Sequence, residues 1–111
     1  PILPKAMTPT NIALRPTTVI QATFVSGLEK AEAIRDNVTP ARSSDKTGGA
    51  YGNWPSSNIE RYVEYDFPQA YKIAKSEVYW WTDGGGILFP DYCRLEYWNI
   101  STLAWTLVPN P

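Results

Sequence analysis

Apolar and polar residues alternate with a period of two along several short stretches of the chain. Over residues 17–24, Thr18, Ile20, Ala22 and Phe24 alternate against Val19, Gln21 and Thr23, which predicts a first strand. Residues 59–67 alternate more clearly. Arg61, Val63, Tyr65 and Phe67 share one face, Tyr62, Glu64 and Asp66 share the other, and Pro68 stops the run. Residues 71–73 predict a short strand or bridge. Residues 75–81 predict another strand, with Val78 and Trp80 facing one way and Glu77, Tyr79 and Trp81 the other. Residues 91–98 alternate again, with Cys93, Leu95 and Tyr97 opposite Arg94, Glu96 and Trp98. A turn over 99–103 and a returning strand over 104–108 complete a hairpin. Residues 28–34 depart from this period. Leu28, Ala31 and Ile34 lie at helical spacing among good helix formers, which predicts one or two helical turns between Ser26-Gly27 and Asp36-Asn37.

The breaks between these runs set the organisation. Residues 1–16 hold four prolines and little periodicity, and read as a linker or extended lead-in. Residues 17–111 then form one β module. Residues 37–58 read as a loop of about 20 residues, a length that is uncommon without a functional or ion-bound role. After Trp81 the ladder stops at Thr82-Asp83-Gly84-Gly85-Gly86. Glycine lets other groups approach the backbone closely, so a strand end with indoles, one carboxylate and bare backbone suits a small-molecule site. The plainer reading is a wide turn with Trp80 in the core. Ten prolines and seven glycines among short alternating runs predict an all-β fold, and 111 residues suffice for one domain or part of one.

Composition excludes several functions. The net charge is −1 with 19% charged residues, so no field exists to hold a polyanion and nucleic acid is not an expected partner. No run of about 18 apolar residues is present, so no membrane-spanning helix is expected. The chain has no histidine, which rules out a Ser/His/Asp triad and, with one cysteine, a Cys/His zinc site. Cys93 cannot form an internal disulfide. It lies in an apolar alternation and reads as a buried, inert thiol. Asp45, Asp83 and Asp91 are loop acids, but no spacing sets two of them as a hydrolytic pair. Asp36, Asn37, Ser43, Ser44 and Asp45 supply hard oxygens that suit calcium or an ordinary polar loop. Asn37-Val38-Thr39 and Asn99-Ile100-Ser101 match the glycosylation sequon, a short pattern that often arises by accident.

Aromatic residues are the remaining signal, with five tryptophans and seven tyrosines. Tyr51, Trp54, Trp81 and Phe89 fall in loops or at a strand end, beside Asn53 and Asp83. Flat rings stack on the apolar faces of sugars while amide and carboxylate groups fix the hydroxyls. The alternative is that Trp54-Pro55 plugs the end of a sandwich.

Segments in one order carry a resemblance: Leu28-Glu29-Lys30-Ala31-Glu32-Ala33-Ile34-Arg35-Asp36, Ser43-Ser44-Asp45-Lys46, Gly49-Ala50-Tyr51-Gly52-Asn53-Trp54-Pro55, and Glu77-Val78-Tyr79-Trp80-Trp81-Thr82-Asp83-Gly84-Gly85-Gly86-Ile87. From residue 22 to 108 the chain resembles the galactose-binding-like (discoidin, or coagulation factor 5/8 type C-like) β-sandwich modules appended to bacterial glycoside hydrolases, notably arabinofuranosidase-type enzymes. That resemblance implies an antiparallel jelly-roll sandwich whose end loops form any sugar site. It carries Asn53, Trp54, Trp81 and Asp83 as ligand-binding residues, and Tyr51 joins the expected ligand-binding set as a loop aromatic. It also implies a structural calcium, Ca2+, held by Asp36 with Ser43 or Ser44. Asp36-Asn37 stands where the wider family often has Asp-Gly. Similar modules continue for several dozen residues beyond the position of Val108, so the resemblance implies closing strands outside this segment. The open sheet edge is then expected to be covered by a catalytic domain or a second chain.

The expected function is therefore a non-catalytic carbohydrate-binding module of a secreted, periplasmic or cell-surface glycoside hydrolase. Its partner would be an oligosaccharide or polysaccharide. The alternative is a structural module that packs on a catalytic domain and binds no glycan. A small hydrolase is a third reading. Exposure of Trp54 and Trp81 separates the first two, because a free sugar site leaves an indole face open.

Overall fold

A computed structural model of the chain describes residues 10–54 and 60–109. Most of the predicted lead-in, the end of the long loop and the first residue of the second predicted strand lie outside the described residues. Four strands form: β1 (Val19–Ala22), β2 (Val63–Asp66), β3 (Glu96–Asn99) and β4 (Ala104–Leu107). β1 pairs antiparallel with β2, Val19 opposite Asp66 and Ala22 opposite Val63. β3 pairs antiparallel with β4, Glu96 opposite Leu107 and Asn99 opposite Ala104. The fold is thus β-rich, built on two small antiparallel sheets, with 3-10 turns and no α-helix among the described residues. The two sheets make no extended contact with each other, and of the expected jelly-roll sandwich these strands show the antiparallel all-β character alone.

The first sheet is held largely by polar groups. A 3-10 turn over Ile12–Leu14 is capped by Asn11, whose side chain accepts a hydrogen bond from the Ala13 N–H. Thr18, only 1% exposed, donates its hydroxyl to the Ile12 carbonyl at 2.7 Å. A second 3-10 turn, Ala31–Arg35, packs on β1. Its Arg35 donates to the Thr18 carbonyl and forms an ion pair with Glu32 at 2.8 Å. From β2, Tyr65 donates its hydroxyl to the Ile34 carbonyl at 2.5 Å. A guanidinium and a phenol therefore fasten the turn to both strands.

The helical expectation for residues 28–34 is corrected to this shorter turn, which begins later. The Lys30 N–H donates to the Ala50 carbonyl at 2.9 Å, and Lys30 is extended at φ −140 and ψ 140. That long-range bond takes the segment before Ala31 away from a helix, and Leu28 is left exposed. Propensity yields here to tertiary pairing. At Asn37 the backbone turns through φ +60, and the Asp36 carboxylate accepts from the Val38 N–H at 2.9 Å. Asparagine tolerates the left-handed conformation, so Asp36-Asn37 makes the turn that Asp-Gly would make.

The second half differs more from expectation. The β3–β4 hairpin forms as predicted. Residues 71–73 and 75–81 join no strand ladder, and of residues 91–95 only Leu95 is tied to the hairpin, its carbonyl accepting from the Val108 N–H at 2.9 Å. Alternation marks a segment fit to be a strand, but a strand also needs a partner for its N–H and C=O groups. Trp80 is therefore 48% exposed rather than in a core. Cys93 is exposed rather than buried, for the same reason. No hydrophobic side chain among the described residues is fully buried.

Candidate functional site

The predicted ligand residues come from two loops that meet beyond the end of β1. The first runs through residues 43–54. It is tied to the segment after β1 by two backbone bonds, Ser26 N–H to the Gly52 carbonyl at 2.8 Å and Lys30 N–H to the Ala50 carbonyl at 2.9 Å. Tyr51 adds a third tie, donating its hydroxyl to the Phe24 carbonyl at 2.9 Å. Burial raises the Tyr51 pKa above the usual phenol value, opposed by the positive charge of Arg61.

The second loop is the glycine-rich stretch after Trp81. Asp83 organises it. One carboxylate oxygen accepts from the Gly85 N–H at 2.7 Å and the Ile87 N–H at 2.9 Å. These two backbone donors hold the Asp83 pKa below its ordinary 3.8. The loops are joined at three places. Trp81 donates its indole N–H to the Tyr51 carbonyl at 2.7 Å. The Ser43 hydroxyl accepts from the Thr82 N–H at 2.7 Å and lies 3.3 Å from the Thr82 carbonyl. Over buried Gly52, the side chains of Ile87, Glu29 and Ser26 converge.

Trp54 lies across the glycine loop. A Cβ built on Gly86 would stand 2.5 Å from the indole nitrogen and 2.6 Å from its neighbouring carbon. Bare backbone at Gly86 is what lets the ring sit so close. Trp54 is still 53% exposed. The two indoles thus differ. Trp81 is part-buried with its N–H engaged inside the protein, and so acts as a strut between loops. Trp54 offers an open ring beside a loop that carries Asp83. Asn53 precedes it on exposed chain.

Of the predicted calcium ligands, Asp36 and Ser43 already serve hydrogen bonds within the protein. Asp36 has one oxygen committed to the Val38 N–H, and Ser43 is committed to Thr82. Ser44 is exposed. Calcium takes six to eight oxygens, commonly from more than one carboxylate. This donor set does not fit the ion as it stands. Among the described residues no group of three or more His, Cys, Asp or Glu side chains is placed to hold a metal.

A group that sequence reasoning missed lies on the other side of Trp81. Lys46 forms an ion pair with Glu29 at 2.7 Å, and the Glu29 side chain is only 4% exposed. The Lys46 ammonium also stands 5.4 Å from the Trp81 ring centroid. The other Glu29 oxygen and the Ser26 hydroxyl are buried without a hydrogen-bond partner. Glu29, Lys30 and Lys46 line a cavity of about 420 Å³ between residues 27–30 and 46–50. Glu29 and Lys30 are indistinguishable in sequence from ordinary helix formers. The only signal was Gly48-Gly49, a pair that permits close approach. A second cavity of about 320 Å³ is aromatic, walled by Trp80, Phe89 and Tyr92.

No family model, no curated protein and no solved structure matches the chain.

Proposed function

We propose that the chain is a non-catalytic carbohydrate-binding module that belongs to a secreted glycoside hydrolase. The observation that carries this reading is Trp54: an indole more than half exposed, seated on bare glycine backbone, beside a loop organised by a carboxylate. In this reading the sugar stacks on Trp54, Asn53 and the free oxygen of Asp83 receive its hydroxyls, and Tyr51 and Trp81 hold the two loops in register. Preordering by the Trp81, Ser43 and Asp83 hydrogen bonds lowers the entropy lost on binding. The galactose-binding-like resemblance of the loop segments supports the same reading and names the parent enzyme class. No ion has a role in it.

The test is a titration with plant and bacterial cell-wall oligosaccharides, followed by calorimetry. One class should bind saturably, and Trp54→Ala should weaken it by about 30-fold or more, the usual effect of removing a stacking tryptophan. Binding by no sugar, from a chain shown by circular dichroism to be folded, would overturn the reading.

A second reading has its own support. Trp80, Phe89, Tyr92, Trp98 and Trp105 are all exposed. Such a surface suits packing against a catalytic domain or a second chain. A structural module of this kind would bind no glycan at Trp54.

A further inference from the structure

The cavity between residues 27–30 and 46–50 lies outside the proposed Trp54 platform and has a charge pattern of its own. Its carboxylate, Glu29, is matched by Lys46 at 2.7 Å. Lys30 adds a second ammonium at the wall, and no described residue forms an ion pair with it. The cavity therefore carries one unbalanced positive charge.

The Lys30 stem also passes close over Gly49. Gly49 sits at φ +90, and a Cβ built there would stand 2.0 Å from Lys30 Cε and 2.7 Å from Nζ. Any other residue at Gly49 would push the lysine stem away. The Gly49 N–H donates to the Lys46 carbonyl at 2.9 Å, so the turn that brings Gly49 under the Lys30 stem begins at Lys46. Leu28 and Ala50 give the cavity an apolar wall. At about 420 Å³ it has room for one sugar ring. The Lys46 ammonium over Trp81 links it to the strut that joins the two loops.

We infer that this cavity takes the anionic group of an acidic glycan, with Lys30 as the residue that recognises the charge. The inference rests on the carbohydrate-binding reading and adds the ligand class to it. The sugar ring lies on Leu28 and Ala50, and its carboxylate or sulfate meets the Lys30 ammonium. A charge-assisted hydrogen bond of this kind is among the stronger polar contacts and weakens with salt.

The experiment measures binding of the 111-residue chain to four probes at low and high salt: an oligogalacturonate, a sulfated galactan oligosaccharide, a neutral galactan oligosaccharide and polyglutamate. The acidic glycans should bind about tenfold or more tighter than the neutral one at low salt. The comparison of carboxylate with sulfate identifies the anion. Lys30→Ala should reduce acidic binding to the neutral level, and Lys30→Gln should do the same while the length of the side chain is kept. Equal affinity for acidic and neutral glycans would overturn this inference and leave the carbohydrate reading intact. Acid preference unchanged in both variants would overturn the site. Polyglutamate binding as tightly as the acidic glycans would overturn glycan recognition there. Binding of no probe would overturn the inference, while the reading beneath it is decided by the wider panel of cell-wall oligosaccharides.

Discussion

At the scale of single residues, backbone conformation and ion pairing decide which positions resist change. Leu103 closes the four-residue loop of the β3–β4 hairpin at φ +54, with its N–H donating to the Asn99 carbonyl at 2.7 Å. Its side chain is exposed, so nothing is gained from packing to offset the strained conformation. Leu103→Gly should stabilise the chain by about 0.5–1 kcal/mol, the left-handed penalty less the entropy cost of glycine. A thermal melt that moves down would contradict this. Lys46 makes the opposite case. Lys46→Met would leave the buried Glu29 carboxylate without its cation. The expected loss is about 1–3 kcal/mol, below the figure for a fully buried pair because Lys46 itself is part-exposed. Urea denaturation measures it, and no loss would show that Glu29 finds another partner.

At the scale of elements, the glycine loop and the two sheets show what pattern can and cannot reveal. Asp83 caps the loop through the Gly85 and Ile87 N–H groups, which favour its ionised form. A carboxylate with a lowered folded pKa contributes stability above its ordinary value of 3.8, and that contribution disappears as pH falls through the lower folded value. The loop should therefore stay closed from neutral pH down past the ordinary carboxylate value of 3.8, and open only as pH falls through the lowered one. Amide shifts of Gly85 and Ile87 followed against pH test this, and Asp83→Asn should abolish the transition. Opening near neutral pH would contradict it. β1, β2 and the β3–β4 hairpin were legible because alternation there coincides with turn residues and an available partner. Residues 75–81 have the same alternation without strand pairing, and no period-two count reports on a partner. The loop aromatics were legible as a group, but not their division of labour. Trp54 and Trp81 look alike in sequence. Only the Tyr51 carbonyl, 30 residues away along the chain, makes Trp81 a strut. The Glu29–Lys46 pair joins segments 17 residues apart and had no local signature at all.

At the scale of the whole molecule, surface dominates. The chain exposes 9400 Å², against roughly 6200 Å² for a compact monomer of its mass. Its radius of gyration is 16.4 Å, against roughly 13 Å for a compact domain of this length. The excess includes aromatic surface on the second half, where Trp98 and Trp105 meet edge to face at 5.6 Å across the hairpin yet remain half exposed. Such a surface, beside strands with open edges, favours association. In sedimentation the apparent mass should rise with concentration above 12.5 kDa, and Trp98→Thr with Trp105→Thr should lower it. A concentration-independent mass of one chain would contradict this. The central claim, however, is that Trp54 is the sugar platform and Trp81 its support. The most direct measurement is the set of five tryptophan indole N–H signals in a nitrogen–proton correlation spectrum, followed during titration with a binding oligosaccharide. The Trp54 signal should move most. Trp81 should move less and remain protected from exchange by the Tyr51 carbonyl. Shifts confined to Trp80, Trp98 or Trp105, with Trp54 unmoved, would contradict it.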